Sequence, residues 1–288
     1  MNNLYFATFK NSEFTGNVAK QYGGALRITG NTNAVIDTSF TNNIAGTNGG
    51  AISMNGGTVL IIADEKDVLF SGNKAGEFVR ADDGTIGFTG SYSYSDISSN
   101  NGTVSLFANE GKTIQFDGII NKVSLDMSRT NNRQYRVIND DFTTTDYYAN
   151  QSGGTYKFNN VINESSVYFY NDAYMKLGSV LQDNGETTYG TLNLSGLTST
   201  SGGTIDSQNN HIDTHNLGAV VLNDNVNVKI DADLAGSTTE GTPAVDSFTA
   251  SGFSGSYYFI INSIKILSDA NEEDLPLTIA VADETLKE

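Results

Sequence analysis

The feature that most constrains this chain is a pattern it states three times: Phe14-Thr-Gly-Asn17-Val-Ala19, Phe40-Thr-Asn-Asn43-Ile-Ala45 and Phe70-Ser-Gly-Asn73-Lys-Ala75. The Phe residues are 26 and 30 positions apart, and in the first two copies a Gly-Gly-Ala triplet follows nine residues after the Phe, at Gly23-Gly24-Ala25 and Gly49-Gly50-Ala51. A period of that size is one coil of a solenoid, a unit that cannot bury its apolar side alone and must stack on its neighbours. Ordinary hairpins with similar turns do not explain a shared offset between the Phe and the glycines.

Each copy reads as short strands joined by corners. Ile36, Thr38 and Phe40 alternate, as do Val68 and Phe70, which places them on one strand face. Asn17, Asn43 and Asn73 follow at bends, where an amide side chain can satisfy backbone groups. The Gly-Gly pairs then turn the chain, since a residue without Cβ accepts positive φ. In the next strand Leu26 and Ile28 share one face and Arg27 takes the other. Stacking assigns all these residues a structural role: Phe over Phe in the core, Asn over Asn at the bends.

Beyond residue 90 the named motif fades while the two-residue rhythm persists, in Ile114 and Phe116, in Val123, Leu125 and Met127, in Val167 and Phe169, and in Val226, Val228 and Ile230. No helical spacing of useful length interrupts it. The chain is therefore expected to be all-β, a parallel β-helix, with an antiparallel sandwich as the competing arrangement. Residues 1–90 hold the clear coils and 91–231 diverged ones. Residues 232–256 are expected to be a loop or irregular insertion, and 257–288 terminal strands. With coils of about 24 residues the rod would be roughly 55–60 Å long.

Composition excludes several classes of function. A net charge of −17 over 288 residues argues against nucleic acid, which needs a basic surface. There is no Cys, hence no disulfide framework and no thiolate chemistry. No apolar run approaches the ~20 residues of a membrane-spanning helix. The first residues do not read as a signal peptide, and with the repeat under way by Ser12 the expectation is a piece of a longer chain. No cofactor is called for.

The pairing of F-x-x-N with G-G-A-[I/L], in Phe14 to Leu26 and Phe40 to Ile52 with a half copy at Phe70 to Ala75, resembles the repeat of chlamydial polymorphic membrane proteins and related autotransporter passenger domains. Residues 217–234 resemble the distal coils of such passengers less specifically. The resemblance implies a right-handed, single-stranded parallel β-helix of pectate-lyase-like architecture, displayed at the bacterial surface or outer membrane, or secreted. It implies a role in adhesion, with a host-cell receptor, matrix protein or glycan as partner. Membrane attachment would come only from a barrel that this chain lacks. The alternatives are a carbohydrate-active β-helix enzyme and a purely structural stalk.

Candidate sites are few. His211, Asp213 and His215 sit two apart, so on one strand face they would offer N, O and N ligands to Zn²⁺; solvated side chains are the simpler expectation. Asp82-Asp83 and Asp140-Asp141, with Arg80 and Arg136 near them, are the acids a polysaccharide lyase or hydrolase would use, although adjacent residues share a site only at a turn. Tyr147, Tyr148, Tyr156, Tyr168, Tyr170 and Tyr174 cluster in the middle. If Val167 and Phe169 face inward, Tyr168 and Tyr170 face outward as a binding face for sugars or a partner.

Overall fold

The computed structural model describes residues 7–30, 32–127, 154–169, 173–233 and 244–268, together with the backbone of 134–138 and 144–148. The alternating runs do become strands, and the strands pair with the next copy of themselves one coil later rather than with their sequence neighbours. Phe14, Phe40 and Phe70 are in parallel register, and the same register continues to Phe116 and Phe158. The chain is a parallel β-helix solenoid.

Three sides build each coil. On the first, Ala7–Lys10, Thr32–Ile36, Thr58–Ala63, residues 103–108, residues 123–127, Ser166–Phe169, Gly196–Ser199, Ala219–Leu222 and Gly252–Gly255 stack in parallel. The second side carries the Phe column and runs from Glu13–Thr15 to Phe259–Ser268. The third begins at Leu26–Thr29 and Ile52–Asn55 and ends at Ser247–Thr249. At the ~4.8 Å separation of neighbouring strands, the nine rungs of the first side among the described residues span about 38 Å. Excursions such as the hairpin Phe78–Arg80 with Ile86–Phe88 take up residues that a uniform coil would spend on further rungs.

The core is a set of columns. Ring centroids are 4.9 Å apart from Phe14 to Phe40, 4.7 Å from Phe40 to Phe70, 4.8 Å from Phe70 to Phe116 and 5.4 Å from Phe116 to Phe158, all stacked. Strand spacing sets those distances, and they fall in the range where aromatic pairs attract beyond their buried area. A second apolar cluster, Ala34, Ile36, Leu60, Ile62 and Phe107, is buried on the opposite face of the first side. That explains why Val59-Leu-Ile-Ile-Ala63 is continuously apolar: the strand is buried on both faces.

The asparagines form a ladder with one direction. Asn17 Nδ2 donates to Asn43 Oδ1 at 2.9 Å, Asn43 Nδ2 to Asn73 Oδ1 at 2.9 Å, and Asn73 Nδ2 to Asp96 Oδ1 at 2.8 Å. Asn43 and Asn73 also donate to the carbonyls of Phe14 and Phe40. Asp96 closes the column as an acceptor with nothing to pass on, and its other oxygen takes the Gly118 N–H at 2.6 Å. Gly23 and Gly49 hold φ of +61° and +63°, as the corner requires, and a Cβ on Gly24 would run into the Gly50 carbonyl.

The segment 232–256 is not simply an insertion. Within it Ser247–Thr249 and Gly252–Gly255 continue the third and first sides, on Thr214–Asn216 and Ala219–Leu222. Its Gly, Ser and Thr content hides two inward residues, Phe248 and Phe253, that pack against the main core. A further hairpin, Ser179–Leu181 with Thr187–Tyr189, is pinned to earlier coils. Lys74 Nζ meets Asp183 at 2.6 Å, Tyr94 donates its hydroxyl to the same carboxylate, and Gln182 Nε2 reaches the Asp117 carbonyl at 2.8 Å.

Candidate functional site

The corner between the third and first sides has its own chemistry. Successive coils turn there through Asn55-Gly-Gly-Thr58, Asn100-Asn-Gly-Thr103, Asn121-Lys-Val-Ser124 and Asn163-Glu-Ser-Ser166, so an asparagine leads and a hydroxyl or glycine follows. The second residue of each corner is left-handed: Gly56 at φ +72°, Asn101 at +62°, Lys122 at +57° and Glu164 at +46°. Gly and Asn accept that conformation readily, whereas Lys and Glu are strained by about 1 kcal/mol each. The charged pair lies 3.3 Å apart, Lys122 Nζ to Glu164, with both side chains about half exposed.

Two adjoining cavities follow this corner. One, of about 280 Å³, is lined among others by Tyr22, Arg27, Ser53, Met54 and Asn55; the other, of about 390 Å³, by Asn101, Thr103, Lys122, Glu164 and Tyr168. Ser99 and Asn100 line both, so the two adjoin along the axis as a trough in two parts. The Arg27 guanidinium lies over the Tyr22 ring, 4.8 Å from its centroid. Amides in the trough and beyond it are held in register: Asn100 to Asn55 at 3.3 Å, Asn163 to Asn121 at 2.9 Å, Asn193 to Asn163 at 2.7 Å and Asn216 to Asn193 at 3.2 Å.

Of the tyrosines, Tyr168 lies where alternation puts it, outward between the fully buried Val167 and Phe169, and it closes one end of this trough. Tyr170 and the side chains of Tyr147 and Tyr148 lie outside the described residues. Tyr156 is a core residue: its hydroxyl meets the Leu106 carbonyl at 3.2 Å, and burial pushes its pKa up to about 12. Tyr174 is half-buried, donates to Asp206 and carries Lys229 over its ring.

The histidines do not share a face. His211 precedes the strand Thr214–Asn216, stacks on Tyr189 at 4.1 Å and places Nδ1 2.9 Å from Asp213. His215 points into the core against Phe248, and burial lowers its pKa to about 4, so the ring is neutral. Its Nδ1 accepts the Leu192 N–H at 3.4 Å, and Nε2 has no partner among the described residues. Asp213, His215 and Asp246 of the next coil bring one ligand atom each within 4.8 Å of one another. Protein donors already occupy both carboxylates: Asn209 and His211 meet Asp213, while Ser207 and the N–H groups of Asp213 and Asp231 bind Asp246. Asp213 and Asp246 are thus joined in a hydrogen-bonded brace between coils, and His215 lies beside it without a bond to either carboxylate.

Among the acids, Asp82 and Asp83 lie exposed at the tip of the hairpin of residues 78–88. Asp83 accepts from the hydroxyl and N–H of Thr85, which lowers its pKa. Asp140 and Asp141 fall outside the described residues, as does the Arg136 side chain. Among the described residues, one strongly perturbed carboxyl is not part of any motif. Asp96 is fully buried, and desolvation lifts its pKa to about 7 against the hydrogen bonds from Asn73 and Gly118.

With the geometry described, comparison with known proteins adds one relation. Residues 37–55 match the Chlamydia polymorphic membrane protein repeat. That stretch holds the second Phe, the second ladder Asn and the second Gly-Gly-Ala, so the match coincides with a structural unit of the rod. No curated protein and no solved structure matches the chain.

Proposed function

We propose that this chain is part of a non-enzymatic, surface-displayed bacterial β-helix of the autotransporter passenger type, working in adhesion or display. The observation that carries the reading is the match of residues 37–55 to the polymorphic membrane protein repeat, on a stretch whose Phe40 and Asn43 stack in register with Phe14, Asn17, Phe70 and Asn73. A rod of stacked coils holds its lateral surface at fixed spacing, which suits display. The net charge of −17 favours a partner other than nucleic acid. The non-enzymatic part draws support from Asp82 and Asp83, solvated on a hairpin tip and absent from the lining of the trough.

The test is made on intact cells producing the full native protein. An antibody to these coils should label unbroken cells, external protease should remove the label, and cells carrying the protein should attach to host-cell or matrix surfaces better than cells lacking it. Labelling only after lysis would sink the display reading. Labelling without attachment would leave a stalk. Release of reducing ends or unsaturated sugars from polysaccharide, abolished by Asp82→Ala, would replace the reading with an enzymatic one.

A further inference from the structure

We infer that the trough along the corner is a binding site for an extended, uncharged oligosaccharide lying parallel to the rod axis. The inference deepens the adhesion reading and rests on it for its biological setting. From Arg27 to Glu164 the trough crosses five coils, about 19 Å at the ~4.8 Å spacing of the rungs. The rungs beneath it recur at that spacing, so a chain whose units are of similar length meets one rung per unit, with different side chains at each.

Each property of the lining removes another class of ligand. The trough runs across the strands, and their N–H and C=O groups are consumed in bonds between coils, so a peptide strand finds no sheet edge to extend. Met54 and Val123 are its only aliphatic residues, which leaves little to hold a lipid or an apolar helix. Amides and hydroxyls from Asn55, Ser99, Asn100 and Thr103 supply both donors and acceptors, as a polyhydroxylated chain requires. Lys122 and Glu164 neutralise each other, so the net charge of the lining is the single positive charge of Arg27 at one end. At one end Tyr168 offers a ring to the C–H face of a sugar, and at the other Arg27 over Tyr22 offers a fixed fork of N–H donors.

The experiment is calorimetric titration of the purified chain with neutral oligomers of glucose, galactose, mannose and N-acetylglucosamine, from disaccharides to hexasaccharides, beside polygalacturonate fragments. Binding to at least one neutral series, tightening with chain length, is expected. Tyr168→Ser and Asn100→Ala should each weaken it about tenfold, with unchanged melting and an unchanged response in the hairpin-tip control Arg80→Ala. No binding by the folded protein, equal binding in the two trough variants, or preference for the polyuronate would each overturn the assignment. The whole-cell labelling separates the two readings. Display and attachment that survive Tyr168→Ser, in a protein that takes up no sugar, would remove the trough proposal alone. Sugar uptake by the pure chain without labelling of intact cells would remove display alone.

Discussion

Replacing Asn43 by Leu tests whether the amide ladder or the aromatic column holds the coils in register. The side chain of Asn43 is fully buried and makes four hydrogen bonds: it donates to the Phe14 carbonyl and Asn73 Oδ1, each at 2.9 Å, and accepts from the Asn17 N–H at 3.0 Å and Asn17 Nδ2 at 2.9 Å. Leu has nearly the same shape and none of these bonds. Asn73 Oδ1 keeps the Asn43 N–H, and Asn17, being exposed, can turn its amide to water. The Phe14 carbonyl and the Asn17 N–H are then left without their partners, at about 1–3 kcal/mol each. Added apolar burial offsets roughly 1 kcal/mol. The net loss should be about 3 kcal/mol, a large fraction of the ~5–15 kcal/mol that holds a domain together. Urea denaturation followed by circular dichroism measures it, with Asn17→Leu as the control, for which less than about 1 kcal/mol is expected. Equal costs for the two substitutions would refute the reasoning and assign register to the Phe column alone.

Other consequences can be checked independently. Burial raises the pKa of Asp96 to about 7 and that of Asp246 to about 6, whereas an unfolded Asp titrates near 3.8. The unfolded chain therefore releases these protons first, and their contribution to stability declines as pH rises from about 4 to 7. Melting temperature should fall across that window; Asp96→Asn should flatten the fall while lowering stability at acid pH, because its amide would face the Gly118 N–H. An unaltered slope in that variant would clear Asp96. Gly24→Ala should cost several kcal/mol, since the new Cβ meets the Gly50 carbonyl of the next coil, while Gly87→Ala, with open space around it, should cost almost nothing by the same denaturation assay. Lys74→Ala should loosen the hairpin of residues 179–189, seen as faster hydrogen exchange there, and shift the global midpoint by less than about 1 kcal/mol because the Asp183 side chain is 57% exposed.

How far the sequence spoke depended on whether the spacing was kept. Phe14, Phe40 and Phe70 declared themselves through near-equal intervals, and the stacking read from them holds in the structure. Phe116 and Phe158 occupy the same column but went unassigned to it, because excursions stretch their coils and no period connects them. Asp96 was missed for a related reason: the hairpin of residues 78–88 separates it from Asn73, and a carboxylate does not look like the next asparagine. The outward direction of Tyr168 followed from alternation alone. The trough did not, although part of its signal was present in Asn55 and Asn100 at the heads of two corners. His215 shows the limit of local reasoning, since period-two logic gives two faces and only packing decides that its face is the core.

The one-way sense of the inner asparagine ladder makes it more than a set of pegs. Each side-chain amide is a dipole, and donation from Asn17 to Asn43 to Asn73 lines them up head to tail, the positive ends pointing at Asp96. The column is thus a small side-chain counterpart of a helix macrodipole, with the Asp96 carboxyl at its positive terminus. Hydrogen bonds in such a chain polarise one another, so the ladder gains strength with each coil added and loses it from a break anywhere along its length. A rod built this way has an electrical orientation as well as a shape, and adding or removing a coil changes the field felt at Asp96 several coils away.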